Sequence, residues 1–198
     1  MPRAGPSLAS APAAAPAVSA APLPCVIDVE ASGFGRGSYP IEVGFVLPDG
    51  ESVCTLVQPA PHWQHWDGAA EHLHGITRDV LARHGKPPRE VAELLNSRLR
   101  GTTIYCDSWA HDYAWLAILF DEAGLTPSFK LRHLHELLDD EAAAHWDGAC
   151  AEVRSSLQLQ RHRASTDARV LQLALARVRA QARQAAAALP APPAPDAA

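Results

Sequence analysis

The chain has 198 residues, is 47% hydrophobic and 20% charged, and carries a net charge of −5. That length fits one domain with its own core, and no apolar run approaches the roughly 20 residues of a membrane helix, which excludes an integral helical membrane protein. The acidic balance argues against a protein that simply coats duplex DNA.

The charge is unevenly spread. Residues 154–183 hold seven arginines against the single acid Asp167, which leaves −11 on residues 25–153. An acidic body of this kind needs something cationic between itself and an anionic partner. Cys25, Cys54, Cys106 and Cys150 stand singly, without a CxxC pair. They read as reduced residues of a cytoplasmic protein.

Residues 1–24 are rich in Ala and Pro, with prolines at 2, 6, 12, 16, 22 and 24. The prolines break any helix, so a disordered extension is expected. Residues 187–198 read as a second Ala/Pro-rich tail, leaving 25–186 as the folded domain. The core opens at Cys25-Val-Ile-Asp-Val, a short apolar run typical of a buried strand. Residues 39–47 and 52–57 read as strands around Pro48-Asp49-Gly50, a hairpin turn signal. Residues 59–76 read as a loop-rich stretch.

Thr77 caps a short helix, and Pro87-Pro88 opens a longer one through Leu99. A strand at 102–106 leads into a helix over 112–123, ended by Gly124. A strand at 128–131 and helical material over 133–158 follow. The final helix starts near Ser165, capped by Ser165 or Thr166. Its apolar face is Ala168, Leu171, Leu175, Val178 and Ala182; Arg169, Gln172, Ala176, Arg179 and Arg183 form the polar one. This order predicts an α/β layer with a mixed sheet.

Strand side chains alternate, so Asp28 and Glu30 emerge on one face. A carboxylate beside a buried strand is costly unless it is paired or holds a metal. Asp112 opens the helix after the fourth strand, and Asp107 at the strand's end is a rival for its role. His162 and Asp167 form an H-x4-D pair at the start of the last helix. Taken singly, each acid reads as a solvated strand end or a helix-start residue. As a set they fall where α/β sheets build sites, at strand C-termini and adjacent helix starts. Hard oxygen ligands in that number suit Mg²⁺ or Mn²⁺.

Val26-Ile-Asp28-Val-Glu30-Ala-Ser-Gly33 resembles the first motif of the DEDD 3′→5′ exonucleases. His74-Gly75-Ile76-Thr77 is similar to the His-Gly-Ile-Thr segment common between their first two motifs. His111-Asp112-Tyr-Ala-Trp115-Leu116 resembles the second motif, F-D-x-x-F-L, with His for Phe, and His162-Arg-Ala164-Ser-Thr-Asp167-Ala168 resembles the third, H-x-A-x-x-D-A. A His five positions before the last Asp marks the DEDDh subtype; the Tyr subtype would need Tyr at 163, which is Arg. The second motif usually carries His-Asn ahead of its Asp, where this chain has Asp107-Ser108.

The resemblance implies a ribonuclease H-like three-layer fold. It would have a mixed sheet of about five strands with one antiparallel hairpin, and helices on both faces. It implies that Asp28, Glu30, Asp112 and Asp167 ligate two divalent cations, Mg²⁺ or Mn²⁺, and that His162 is the general base. The backbone through Ser32, Gly33 and Phe34 would meet the 3′-terminal nucleotide, and His74 would also bind substrate. Arg161 and Arg163 then sit beside the site, where guanidinium forks could hold phosphate. The implied substrate is single-stranded nucleic acid, with RNA or short oligoribonucleotides favoured over a DNA proofreading or repair role. The implied assembly is a possible homodimer. A catalytically silent binding module on the same fold is the competing function. His62, His65, His72 and His74 lack the cysteine partners of a zinc site. Trp63 and Trp66 read as packing, Trp115 and Leu116 as helix core.

Overall fold

The computed structural model describes residues 22–157 and 162–188. The extension expected at 1–24 lies outside the described residues up to 21, as do 189–198 of the expected tail and Arg161. Five strands form one mixed sheet in the order β3-β2-β1-β4-β5: β1 Cys25–Ala31, β2 Pro40–Val46, β3 Ser52–Leu56, β4 Thr103–Cys106 and β5 Lys130–His133. β1, β2 and β3 pair antiparallel, as an up-and-down meander. β4 and β5 are parallel to β1, because helical connections carry the chain back to the same edge.

Alternation along β1 sorts its residues between two layers. Cys25, Ile27, Val29 and Ala31 face a core shared with α2 Arg78–His84, α3 Pro88–Leu99 and α4 Trp109–Ala123. Val26 faces the opposite core, closed by α5 Asp140–Leu157 and α6 Ala164–Ala188. Asp28 and Glu30 continue the parity of Val26, so they rise on the α6 side just past the apolar floor. The expected three-layer arrangement is the one observed.

α6 sits closer to the sheet than ordinary side chains allow. A Cβ on Gly44 of β2 would lie 2.0 Å from the Ser165 backbone nitrogen, so only glycine admits the helix start there. Gly44 is paired across the ladder with Asp28. The same close approach therefore carries the first turn of α6, and Asp167 with it, over Asp28. Glu42, fully buried two residues earlier, pins the junction. It accepts the Ala164 N–H at 2.9 Å and the Arg163 Nε–H at 3.0 Å. A carboxylate at a helix N-terminus also meets the positive end of the helix dipole.

Several expectations are corrected. The last helix begins at Ala164, so neither Ser165 nor Thr166 caps it; Glu42 supplies the acceptor from β2. Gln172, on the mostly polar face of that helix, is fully buried, and its amide donates to the Pro24 and Leu47 carbonyls. The stretch at 59–76 contains a seven-residue helix, α1 Gly68–His74, capped by Asp67, whose side chain accepts from the Ala69 N–H at 2.8 Å. The fourth helix begins at Trp109, placing Asp112 inside its first turn. The four cysteines are free, and among the described residues no helix is long and apolar enough to cross a membrane.

Candidate active site

A cleft of about 320 Å³ opens at the C-terminal edge of β1 and β4. Asp28, Glu30, Asp107, Asp112 and Asp167 all line it, together with His162. They arrive from four elements: β1, the end of β4, α4 and α6. Their ligand atoms fall into two groups, each within 4.8 Å. One is Asp28, Asp107 and Asp112; the other is Glu30, His162 and Asp167. His162 enters the α6 junction with φ 57°, a left-handed backbone uncommon outside glycine. The four histidines at 62, 65, 72 and 74 belong to no such group among the described residues.

The electrostatics follow from crowding like charges in a confined space. Burial raises Asp28 well above the ordinary carboxylate range, and Asp112, Glu30, Asp107 and Asp167 push it further. Asp112 is raised to about 8, first by burial and then by Asp107 and Glu30, against stabilisation from the Cys106 thiol and the Val29 backbone. Glu30 is raised to about 7 by burial, Asp167 and Glu42, with Arg163 opposing. Asp112 is 1% exposed, yet its Oδ2 has no hydrogen-bond donor. Buried polar atoms are ordinarily satisfied. An orphaned carboxylate oxygen among further carboxylates fits the hard oxygen set that a divalent cation takes.

One cation among the described residues lines the cleft, Arg154 of α5. Its Nη2 donates to Asp167 Oδ1 at 2.9 Å, and its Nε is buried without an acceptor. The Arg163 N–H donates to the other oxygen, Oδ2, at 3.3 Å. Asp167 is therefore held from both sides. In the sequence Arg154 is only one arginine of a basic segment, and nothing in the local pattern marks it.

Two of the residues expected to bind substrate do not line the cleft. Arg163 does not line the cleft, because its guanidinium is engaged by the buried Glu42. Ser32 is 1% exposed and satisfied internally: its Oγ accepts from the Tyr39 N–H, its own N–H donates to Tyr39 O, and its carbonyl accepts from Asp67. Gly33, Phe34 and His74 do line the cleft. Gly33 has φ 141°, and a Cβ there would lie 2.6 Å from that of Asp67. His74 accepts the Ile76 N–H on Nδ1 at 3.0 Å, so the neutral ring carries its proton on Nε2, which is buried without a partner. Burial lowers the His74 pKa and favours that neutral form.

The opposite wall is aromatic. Phe34 is 64% exposed, with its ring 5.2 Å from His111 and 5.8 Å from Trp115. Trp115 is 7% exposed and donates through Nε1 to Ser38 Oγ at 3.0 Å, so it is core at its base and wall at its edge.

The acid cluster makes a prediction for the cation-free protein. Raised carboxyl groups bind protons more tightly in the folded chain than in the unfolded one. Their stabilisation is complete below the unfolded range near pH 4 and is lost as pH rises through the folded values. With Glu30 at about 7 and Asp112 at about 8, the loss runs from weakly acid to weakly alkaline pH. Chelator-treated protein should therefore show a falling Tm between about pH 5.5 and about pH 8.5, and Mg²⁺ or Mn²⁺ should offset the fall. A cation-free Tm that rises over this range contradicts the assignment.

No family model matches the sequence, and no curated protein matches it. Solved structures do resemble the chain. Exonuclease I in its apo form matches with TM-score 0.59 at 14% identity, over 78% of this chain and 41% of that one. E. coli exonuclease I in complex with a dA16 oligonucleotide matches with TM-score 0.59 at 15% identity, over 78% and 40%. A moderately thermophilic exonuclease I from Methylocaldum szegediense matches with TM-score 0.54 at 16% identity, over 81% and 40%. The chain thus spans about two fifths of the length of these proteins. What it shares with them is the fold, a ribonuclease H-like mixed sheet with helices on both sides.

Proposed function

We propose that this chain is a divalent-cation-dependent 3′→5′ exonuclease acting on single-stranded nucleic acid and releasing nucleoside 5′-monophosphates. The observation that carries the reading is the convergence of five carboxylates and the His162 imidazole in one cleft, with a buried Asp112 oxygen left unpartnered. Such a cluster is costly for a fold to keep without cations.

Asp28, Glu30, Asp112 and Asp167 would hold a pair of divalent cations. When bound, such ions lower the pKa of a water and offset charge on the attacking and leaving oxygens of a phosphodiester. His162 takes the proton of the attacking water as its oxygen bonds to phosphorus. The bond from phosphorus to the 3′ oxygen breaks, and the leaving alkoxide takes a proton from solvent. Arg154 and the Arg163 N–H fix both oxygens of Asp167, so the acid enters the reaction pre-oriented. The His74 Nε2–H offers one donor to the bound nucleotide. Phe34, backed by His111, presents a ring on which a terminal base can stack, worth about 1–3 kcal/mol per base. With Arg163 committed to Glu42, Arg154 is the one arginine or lysine lining the cleft among the described residues, which favours a footprint of a few nucleotides.

RNA or short oligoribonucleotides remain the preferred substrate on the sequence resemblance. DNA is the second reading, favoured by the dA16 and dT13 oligonucleotides bound to E. coli exonuclease I. The test is matched 5′-labelled RNA and DNA single strands, with free and blocked 3′ hydroxyls, in Mn²⁺ or Mg²⁺. A ladder that shortens from the 3′ end, faster on one sugar, supports the reading and names the substrate. Tight binding with no shortening at stoichiometric protein overturns it in favour of a silent binding module.

A further inference from the structure

Resting on that reading, we infer that Asp107 is an additional cation ligand, completing an all-carboxylate set with Asp28 and Asp112. Asp107 ends β4, and α4 begins two residues later. The strand end and the helix start turn it toward the acid of β1 and the acid of α4, and the three offer oxygens within 4.8 Å of one another. The independent observation is on Asp112, a member of this group: its side chain is 1% exposed, and its Oδ2 has no donor. A buried oxygen without a donor beside two further carboxylates calls for a positive charge at that point. Among the described residues, the one arginine or lysine lining the cleft, Arg154, is turned to Asp167 instead.

The two groups in the cleft therefore differ in chemistry. Asp28, Asp107 and Asp112 present three acids; Glu30 and Asp167 share theirs with an imidazole. Affinity for a hard cation rises with the number of charged oxygens around it. Asp107 stands where the resembled second motif carries a neutral or imidazole side chain. Its charge moves this chain toward tighter cation retention, not toward a different reaction.

The test uses the full chain stripped of metal and titrated calorimetrically with MnCl₂, as wild type, Asp107→Asn and Asp121→Asn. Asp121 is exposed near the far end of α4 and controls for the loss of one negative charge. Asp107→Asn is near-isosteric at a partly exposed position, and circular dichroism checks its fold. The expected result is Mn²⁺ affinity weakened roughly tenfold or more in Asp107→Asn and changed less than about twofold in Asp121→Asn. Equal weakening in the two variants, or none in Asp107→Asn, overturns the inference while leaving the exonuclease reading intact. A wild type that takes up no Mn²⁺ removes the exonuclease reading itself, and the ligand assignment with it.

Discussion

Asp28→Asn is expected to lower hydrolysis by about three orders of magnitude, since several kcal/mol of charge stabilisation are at stake and each tenfold is 1.36 kcal/mol. Asp28 is the acid on which the others converge: Asp112, Glu30, Asp107 and Asp167 all act on it. It is also the acid placed opposite Gly44, beneath the start of α6. The same crowding predicts an opposite effect on stability. Near neutral pH the buried Asp28 carboxyl must either repel its neighbours or take up a proton on folding, and asparagine does neither, so cation-free Asp28→Asn should melt above cation-free wild type. Added Mn²⁺ should raise the Tm of the wild type more than that of the variant. The paired measurement separates a ligand from a structural acid. A variant that loses activity and also melts lower would make Asp28 a scaffold residue, and retained hydrolysis would remove it from the chemistry.

His162→Gly is expected to cost roughly 10²–10⁴ in rate if the imidazole is the general base. Glycine is the informative replacement because residue 162 has φ 57°, a conformation glycine adopts without penalty. The variant also leaves a space the size of the lost ring. Imidazole added to the assay should restore part of the rate, with a dependence on pH that follows the free base. Mn²⁺ affinity should stay near the wild-type value. His162 lies within 4.8 Å of Glu30 and Asp167, so a second role is chemically available to it. A large loss of cation affinity in His162→Gly, with no rescue by imidazole, would make His162 a ligand and leave the proton acceptor to be found elsewhere.

The acids of the site are supported by residues with no chemistry of their own. Glu42 is the clearest case. It is fully buried on β2, accepts the first N–H of α6, and takes the guanidinium of Arg163. Breaking such a pair leaves an uncompensated charge. Here the consequence would be felt at Asp167 and His162, which ride on the same junction. Arg163, expected on phosphate from its place beside His162, gives its guanidinium to Glu42.

How far the sequence reached depended on the range of the interaction concerned. The strands, the α3 and α4 helices and the apolar face of α6 were legible because they follow from alternation, helical spacing and local breakers, each a matter of a few neighbouring residues. α1 was missed because seven residues give too little periodicity to be seen, although Asp67 and Gly75 mark its two ends. The acids and His162 were legible as a set because their order along the chain matches known motifs. What tertiary structure alone decided was which charges neutralise which. Arg163 pairs with Glu42, 121 residues away in sequence, and Arg154 meets Asp167 only because α5 and α6 pack together. Asp107 joins Asp28 because β4 lies parallel beside β1. Coulomb attraction reads separation in space, and nothing in local spacing encodes that distance.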